Sequence, residues 1–326
     1  MNESENSFDV TALGELLIDF TDNGISEQGN PLLEANPGGA PCNVLSMLSN
    51  LGRKTAFIGK VGDDGFGHML DQAITEQGIS DEGLRFDPDV HTTLSLVLKK
   101  ENGDRDFAFY RKPGADIDLK EEEVDTDLII RSKIFHFGSL SLTDEPVRSA
   151  TQRAVKTAKQ AGKIITFDPN LREPLWYSMT AAEEQIAWGM SVSDVMKISD
   201  NEIQWFTGIY DFDEGIRKLQ ETYPNLKLIC LSLGADGSRA CMGDMKVEKP
   251  AFLQEGTIET TGAGDTFCAC MINAVLKYGL DGFDEEKLGE MLTYGNAAAS
   301  IVTTRKGALR VMPTIEEINR FIKERG

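Results

Sequence analysis

The stretch Thr260-Thr261-Gly262-Ala263-Gly264-Asp265-Thr266-Phe267 sets two glycines and an alanine directly before a carboxylate, at the start of the apolar run FCACMINAVL. Small residues let a backbone approach a ligand closely and leave its N–H groups accessible. The apolar run reads as a helix, whose first turn carries unsatisfied N–H donors and the positive end of the helix dipole. Together these make an anion hole suited to charge developing on a phosphoryl group in transfer. A carboxylate on the same turn is placed to take the proton of an attacking hydroxyl, the usual requirement of a kinase. Taken alone, the stretch fits a tight turn with Asp265 as a helix N-cap just as well.

A second stretch, Asn36-Pro37-Gly38-Gly39-Ala40-Pro41-Cys42-Asn43, lies about 220 residues earlier. Two glycines before a helix bring backbone N–H groups to a ligand, and Asn43 offers both a donor and an acceptor. Its plain alternative is a loop-to-helix turn.

The elements around these stretches read as α/β. Residues 8–20 suggest a strand, a turn and a second extended piece. Val44, Leu45, Leu48 and Leu51 fall at helical spacing, with Gly52 as a stop. Residues 55–61 read as a strand and 65–78 as a helix. In 92–111, TTLSLVLKK and RDFAFYR alternate around ENGD, the signal of a β-hairpin. From residue 128, strands at KIFHFGS, KIITFDPN, DVMKIS and LKLICLSL alternate with helices, which predicts a mainly parallel sheet covered by helices. The segments at about 16–36 and 92–111 do not fit such a sheet and are expected to form a small separate one covering an edge. No linker or repeat divides the chain, so residues 1–326 read as one domain.

Composition narrows the function. The net charge of −20 would repel phosphate backbones and anionic lipid, which argues against nucleic-acid and membrane partners. A phosphorylated ligand must then be held by local positive potential. No apolar run reaches the length of a membrane span, and MNESENS lacks a basic-then-apolar leader, so the expected location is the cytoplasm. Cys42, Cys230, Cys241, Cys268 and Cys270 have neither zinc-finger nor thioredoxin spacing and read as buried thiols.

In this order, the two glycine stretches resemble the signatures of the PfkB (ribokinase-like) family of carbohydrate kinases. VGDDGFG at 61–67, FDPNLR at 167–172, KISDNE at 197–202, SLGADGS at 232–238 and NAAASIVTTRKGA at 296–308 fit the same pattern. GELLIDF, RDFAFYRKPGAD and FDPNLREPLW are similar to segments of the family's fructokinases. The resemblance implies a three-layer α/β/α domain with a mainly parallel central sheet and a small β-sheet lid. It implies transfer of the γ-phosphoryl of ATP to a sugar hydroxyl, for fructose the 6-hydroxyl. Other acceptors open within the family are ribose, 2-keto-3-deoxygluconate and nucleosides. A catalytically inactive sugar sensor is a further alternative, which intact Asp265, Gly262 and Gly264 oppose. An NAD-binding oxidoreductase lacks its Gly-x-Gly-x-x-Gly turn here.

Carried onto this sequence, the resemblance makes Asp265 the catalytic base and the amides of Gly262, Ala263 and Gly264 the anion hole. Asp19, Gly38, Gly39 and Asn43 would bind the sugar. Phe107 and Phe109, one residue apart on each side of Ala108, share a face and either cover the sugar or pack within the small sheet. Arg111 follows within reach of the sugar or a phosphate, and Arg172 would neutralise phosphate charge. Lys197, Ser232, Gly234, Gly237 and Asn296 fall on the ATP side. The family's Asn-x-x-Glu reads Ser199-Asp200-Asn201-Glu202, which keeps the acid and loses the Asn; Glu202 would act on Mg²⁺ through water. Glu259 stands where many relatives have Asp and would bear on a K⁺ ion. Relatives often pair through the lid, so a homodimer is expected.

Overall fold

Strands buried along their whole length stand at the centre of the molecule. Thr55–Gly62 is buried at every position and Ser132–Gly138 at all but one, the pattern of strands covered on both faces. The computed structural model describes residues 7–99 and 105–325; the side chains of 97–99 and 105–107 lie outside the description. In chain order the strands are β1 (Phe8–Leu13), β2 (Leu17–Ile25), β3 (Pro31–Gly38), β4 (Thr55–Gly62), β5 (Ile79–Asp87), β6 (Leu94–Lys99), β7 (Arg105–Tyr110), β8 (Ser132–Gly138), β9 (Ile164–Asp168), β10 (Val195–Ser199), β11 (Leu228–Ser232), β12 (Ser238–Met242) and β13 (Met245–Lys249). The helices are α1 (Ala40–Asn50), α2 (Gly65–Glu76), α3 (Thr126–Ile130), α4 (Val147–Gln160), α5 (Met179–Val192), α6 (Asp200–Thr207), α7 (Phe212–Thr222), α8 (Ala263–Tyr278), α9 (Glu285–Val302) and α10 (Ile315–Arg325).

The large sheet has the order β13-β12-β11-β10-β9-β8-β1-β4-β5. It is parallel from β5 to β11 and antiparallel at β12 and β13. Alternation along each strand divides the core between its faces. Leu228 and Cys230 pack with α1, α8 and α9, whereas Ile229 and Leu231 pack with α4, α5 and α7. This is the three-layer arrangement that the resemblance implies. The five cysteines are all buried and free, and no helix among the described residues is long and apolar enough to cross a membrane.

From β1 the chain first builds β4 and β5 on one side, then β8 to β11 on the other. The order therefore reverses between β1 and β8, and in open parallel sheets ligands bind beyond the carboxyl ends of the strands at such a reversal.

The small sheet has the order β3-β2-β6-β7. Two antiparallel hairpins, β2–β3 and β6–β7, are joined by the parallel pair β2–β6. Only residues 14–16 separate β1 from β2, so the small sheet rises from the carboxyl end of the interior strand β1 and walls the crevice there.

Candidate active site

Helix α8 begins without a side-chain cap. Gly262 occupies the N-cap with φ 77°, a left-handed conformation that favours glycine. Gly262 and Gly264 border a cavity of about 690 Å³ between the two sheets. The amide of Ala263 instead donates to the carbonyl of Thr260 over 3.2 Å, so of the three amides expected in the anion hole it is the one engaged within the turn.

Asp265 sits on the first turn of α8, buried but bordering the cavity. Its Oδ2 accepts from Nδ2 of Asn43 over 2.8 Å, which joins the two glycine stretches. Burial raises the Asp265 carboxyl above the ordinary range, opposed by the Asn43 hydrogen bond and the charges of Lys197 and Arg172. Oδ1 of Asn43 is buried without a hydrogen-bond partner, an acceptor left for a ligand hydroxyl.

Asp19 lies on β2 beside Ser95 of β6, and both border the cavity. Burial pushes its carboxyl up to about 6, opposed by the charge of Arg172. Gly38 faces Asp19 so closely that a Cβ there would stand 2.7 Å from Oδ2. Gly39, at φ 127°, leaves no room for a Cβ beside the carbonyl of Glu15. Glu15 was not singled out from the sequence. It is buried on the cavity wall, Oε1 accepts from the amide of Ala40 over 2.8 Å at the start of α1, and burial pushes its carboxyl up to about 7.

Lys197, on β10, is buried, borders the cavity and pairs with Asp168 at the end of β9 over 3.2 Å. Burial works against its charge, but the carboxylates of Asp168 and Glu202 outweigh it and hold the ammonium protonated. Asp168 and Asn170, also absent from the expected set, follow one another into a turn. Asn170 has φ 41°, lies on the cavity wall, and donates its amide to Oδ1 of Asp168 over 3.2 Å. Asn is among the few residues that tolerate this conformation. Arg172 lies exposed at the mouth of the cavity.

Glu202 does not border the cavity. Oε2 accepts from the amide and hydroxyl of Ser199, each over 2.8 Å, and Oε1 accepts from the amide of Leu171 over 2.7 Å. It thus caps α6 and pins the Asn170–Arg172 turn. Ser199, which replaces the family's Asn, supplies the other half of that capping box. Glu259 borders the cavity, and Oε1 accepts from the amide of Gly307 over 2.9 Å. Among the described residues no three His, Cys, Asp or Glu side chains gather as a metal site. A Mg²⁺ ion brought by nucleotide phosphates needs few protein ligands, since it keeps much of its water.

Apart from Lys197, the residues expected on the nucleotide side lie away from the cavity. Nδ2 of Asn296 donates to the carbonyls of Lys249 and Pro250, over 3.2 and 3.0 Å. Gly237 packs against the same Lys249 carbonyl. Ser232 ends β11, and Gly234 opens the turn into β12 with open space around it. None of these borders the cavity.

Arg111 departs from its expected place. It is buried, with Nε and Nη2 on Oδ2 of Asp116 over 2.8 and 2.7 Å, Nη1 on Thr143 and Nη2 on the carbonyl of Leu140. Its donors go to Asp116 in the segment after β7 and to Leu140 and Thr143 in the loop after β8, so it supports the cavity wall from behind. Phe109 borders the cavity; the side chain of Phe107 lies outside the described residues.

Across residues 7–315 the chain matches the pfkB family of carbohydrate kinases. Fructokinase-1 of Zea mays is 40% identical over 318 residues, which span 97% of this chain and 98% of that protein. Fructokinase-2 of Oryza sativa subsp. japonica is 41% identical over 317 residues, 97% of this chain and 94% of that protein. Among solved structures, fructokinase from Xylella fastidiosa with bound ATP superposes with a TM-score of 0.89 at 27% identity, over 97% of this chain and 98% of that one. A fructokinase double mutant from Vibrio cholerae O395, with fructose, ADP and potassium bound, gives 0.86 at 27% identity, over 97% and 99%. An uncapped glycine helix tip, a buried carboxylate on its first turn and a fold shared end to end with these proteins have one common explanation: the chain belongs to the pfkB family of carbohydrate kinases.

Proposed function

We propose that this kinase transfers the γ-phosphoryl group of ATP to the 6-hydroxyl of D-fructose, giving fructose 6-phosphate and ADP. The observation that carries the reading is the position of Asp265, buried on the cavity wall on the same helical turn as Gly262 and Gly264 and bonded to Asn43. Asp265 takes the hydroxyl proton as oxygen attacks phosphorus, and the bare helix tip takes up charge on the phosphoryl oxygens. Asp19, Gly38, Gly39 and Asn43 hold the sugar, with Phe109 and Leu17 as its apolar wall. The carboxylate of Asp19 at the sugar end suits a neutral polyol and works against 2-keto-3-deoxygluconate, which carries its own carboxylate.

Arg172 meets phosphate charge at the mouth. Mg²⁺ accompanies ATP, held mainly by phosphate and water, with Glu202 orienting the neighbouring turn. Glu259 has one carboxylate oxygen bound to Gly307 and offers the other to a monovalent cation beside the anion hole. Initial rates in K⁺ and in a non-binding cation test this, and equal rates remove the site. The small sheet exposes Ile25, Leu32, Leu33 and Tyr110, which supports a homodimer through it. Light scattering at micromolar concentration tests the dimer. The reaction itself is tested by coupled ADP release with fructose, ribose, 2-keto-3-deoxygluconate and a nucleoside. Fructose should be the best acceptor, and activity on another acceptor with none on fructose would overturn the reading.

A further inference from the structure

The alternation of β10 turns Lys197 toward the face of the sheet covered by α8, away from its apolar neighbours Met196 and Ile198. Its side chain is 7% exposed, and that of Asp168 beside it 4%. Nζ stands 3.2 and 3.3 Å from the two oxygens of Asp168. A Cβ placed on Gly264 would stand 3.2 Å from the same Nζ, so the ammonium lies directly beneath the helix tip. Lys306 and Arg172, the other cations on this cavity, are at least partly open to solvent.

Stability alone does not account for such a pair. Taking two charges out of water costs about what their attraction returns, and apolar replacements of buried pairs are often neutral or better. A fixed ammonium beside a cavity that receives a phosphoryl group has a clear chemical use, because charge in a water-poor site is balanced without reorganisation.

We propose that Lys197 is a catalytic residue whose ammonium, positioned by Asp168, floors the anion hole and balances the charge of the phosphoryl group as it passes from nucleotide to sugar. This rests on the phosphotransferase reading and assigns Lys197 to the transferred group rather than to the rest of the nucleotide. The new bond joins the sugar oxygen to phosphorus. The bond from phosphorus to the bridging oxygen breaks, and its electron pair leaves with ADP. The hydroxyl proton goes to Asp265, and Lys197 keeps its own. Asp168 also holds the amide of Asn170, so one carboxylate sets both the floor and one wall. Gly264 stays bare because a methyl group there would press on the ammonium.

Lys197→Met in the full-length chain should lower kcat about 100-fold or more, with KM for fructose and ATP changed less than about threefold. Fructose should still raise its Tm. The additional Tm rise that Mg²⁺, ADP and aluminium fluoride give the wild type with fructose should be lost. Asp168→Asn should fall between the two. An unchanged kcat, or a raised KM for ATP with kcat intact, would overturn the proposal. Should Lys197→Met fail to fold, Gly264→Ala decides. Alanine favours a helix, so Tm should not fall, yet kcat should drop about tenfold as the ammonium shifts; a wild-type kcat there would overturn the proposal. Wild-type protein that phosphorylates no acceptor would sink the functional reading and this inference together. An active wild type with an indifferent Lys197→Met would sink this inference alone.

Discussion

Nδ2 of Asn43 lies 2.8 Å from Oδ2 of Asp265, across 222 positions of sequence. On the mechanism proposed above, Asn43 belongs to the sugar wall and Asp265 is the base, and this single hydrogen bond would fix the base relative to the hydroxyl it deprotonates. Asp265→Asn should lower kcat by about 10²- to 10⁴-fold. Tm should hold or rise, because burial disfavours the charge that is removed. Asn43→Asp sets a second carboxylate against the first and should raise the pKa of the pair. Its rate should therefore be low at neutral pH and recover as pH rises. Steady-state rates from pH 6 to 9 check both variants, and a parental rate in Asp265→Asn would remove the base from the mechanism.

Titration separates activity from stability. On the proposed mechanism Asp265, raised by burial, and Asp19, pushed up to about 6, both act in their ionised forms. The rate on fructose should therefore fall on acidification, with a limb above the ordinary carboxylate range. Glu15 acts on stability with the opposite sign. Its folded carboxyl holds a proton up to about 7, against 4.5 when unfolded. The stability it lends is whole below 4.5 and is lost as pH climbs through 7, with an upper bound of about 3 kcal/mol. Glu15→Gln cannot ionise, so its Tm should gain on that of the wild type between pH 5 and 8. A Tm difference constant across that range would contradict the burial argument.

Gly38 tests how the sugar acid is held. Its backbone suits any residue, since its φ lies outside the left-handed region, but a Cβ would stand 2.7 Å from Oδ2 of Asp19. Gly38→Ala should displace that carboxylate, raising KM for fructose about tenfold or more while KM for ATP stays near the parental value. Equal changes in both constants would show a general distortion instead.

Much of this site was legible because its signals are local. Glycines before a helix, an Asn or Asp on its first turn and a period of two around a turn each act over a few residues, and these placed α1, α8, β6 and β7. What escaped depends on distant contacts. Glu15 became informative only once Gly39 was seen to close on its carbonyl. Arg111 looks like a ligand on a lid strand, but Asp116 and the Leu140 carbonyl claim it from behind. β5 was missed because an edge strand carries charge, here Asp81, Glu82 and Arg85, instead of an apolar run. Asn170 did carry a signal in its own sequence: an Asn after Pro, at the end of an apolar strand, is a turn residue able to adopt positive φ.

Lys306 ties the small sheet to the anion-hole loop. Its Nζ reaches Oε2 of Glu34 over 2.8 Å, and the carbonyl of Asp22 and Oδ1 of Asn23 over 3.1 and 3.2 Å. The next residue, Gly307, donates to Glu259, which stands among the cavity residues leading to Gly262. The β2–β3 hairpin and the phosphoryl end are thus connected through two consecutive residues. The ion pair is partly exposed, so its removal should cost no more than about 1 kcal/mol and leave Tm nearly unchanged. Its effect should lie in closure, which keeps water from competing with the sugar for the phosphoryl group. Lys306→Ala should raise KM for fructose about threefold to tenfold and increase the fraction of ATP hydrolysed without sugar. The exchanged pair Lys306→Glu with Glu34→Lys restores the attraction and should recover much of the coupling. ADP release with and without fructose measures both, and a double exchange no better than Lys306→Glu alone would show that the Glu34 contact does not couple the hairpin to the site.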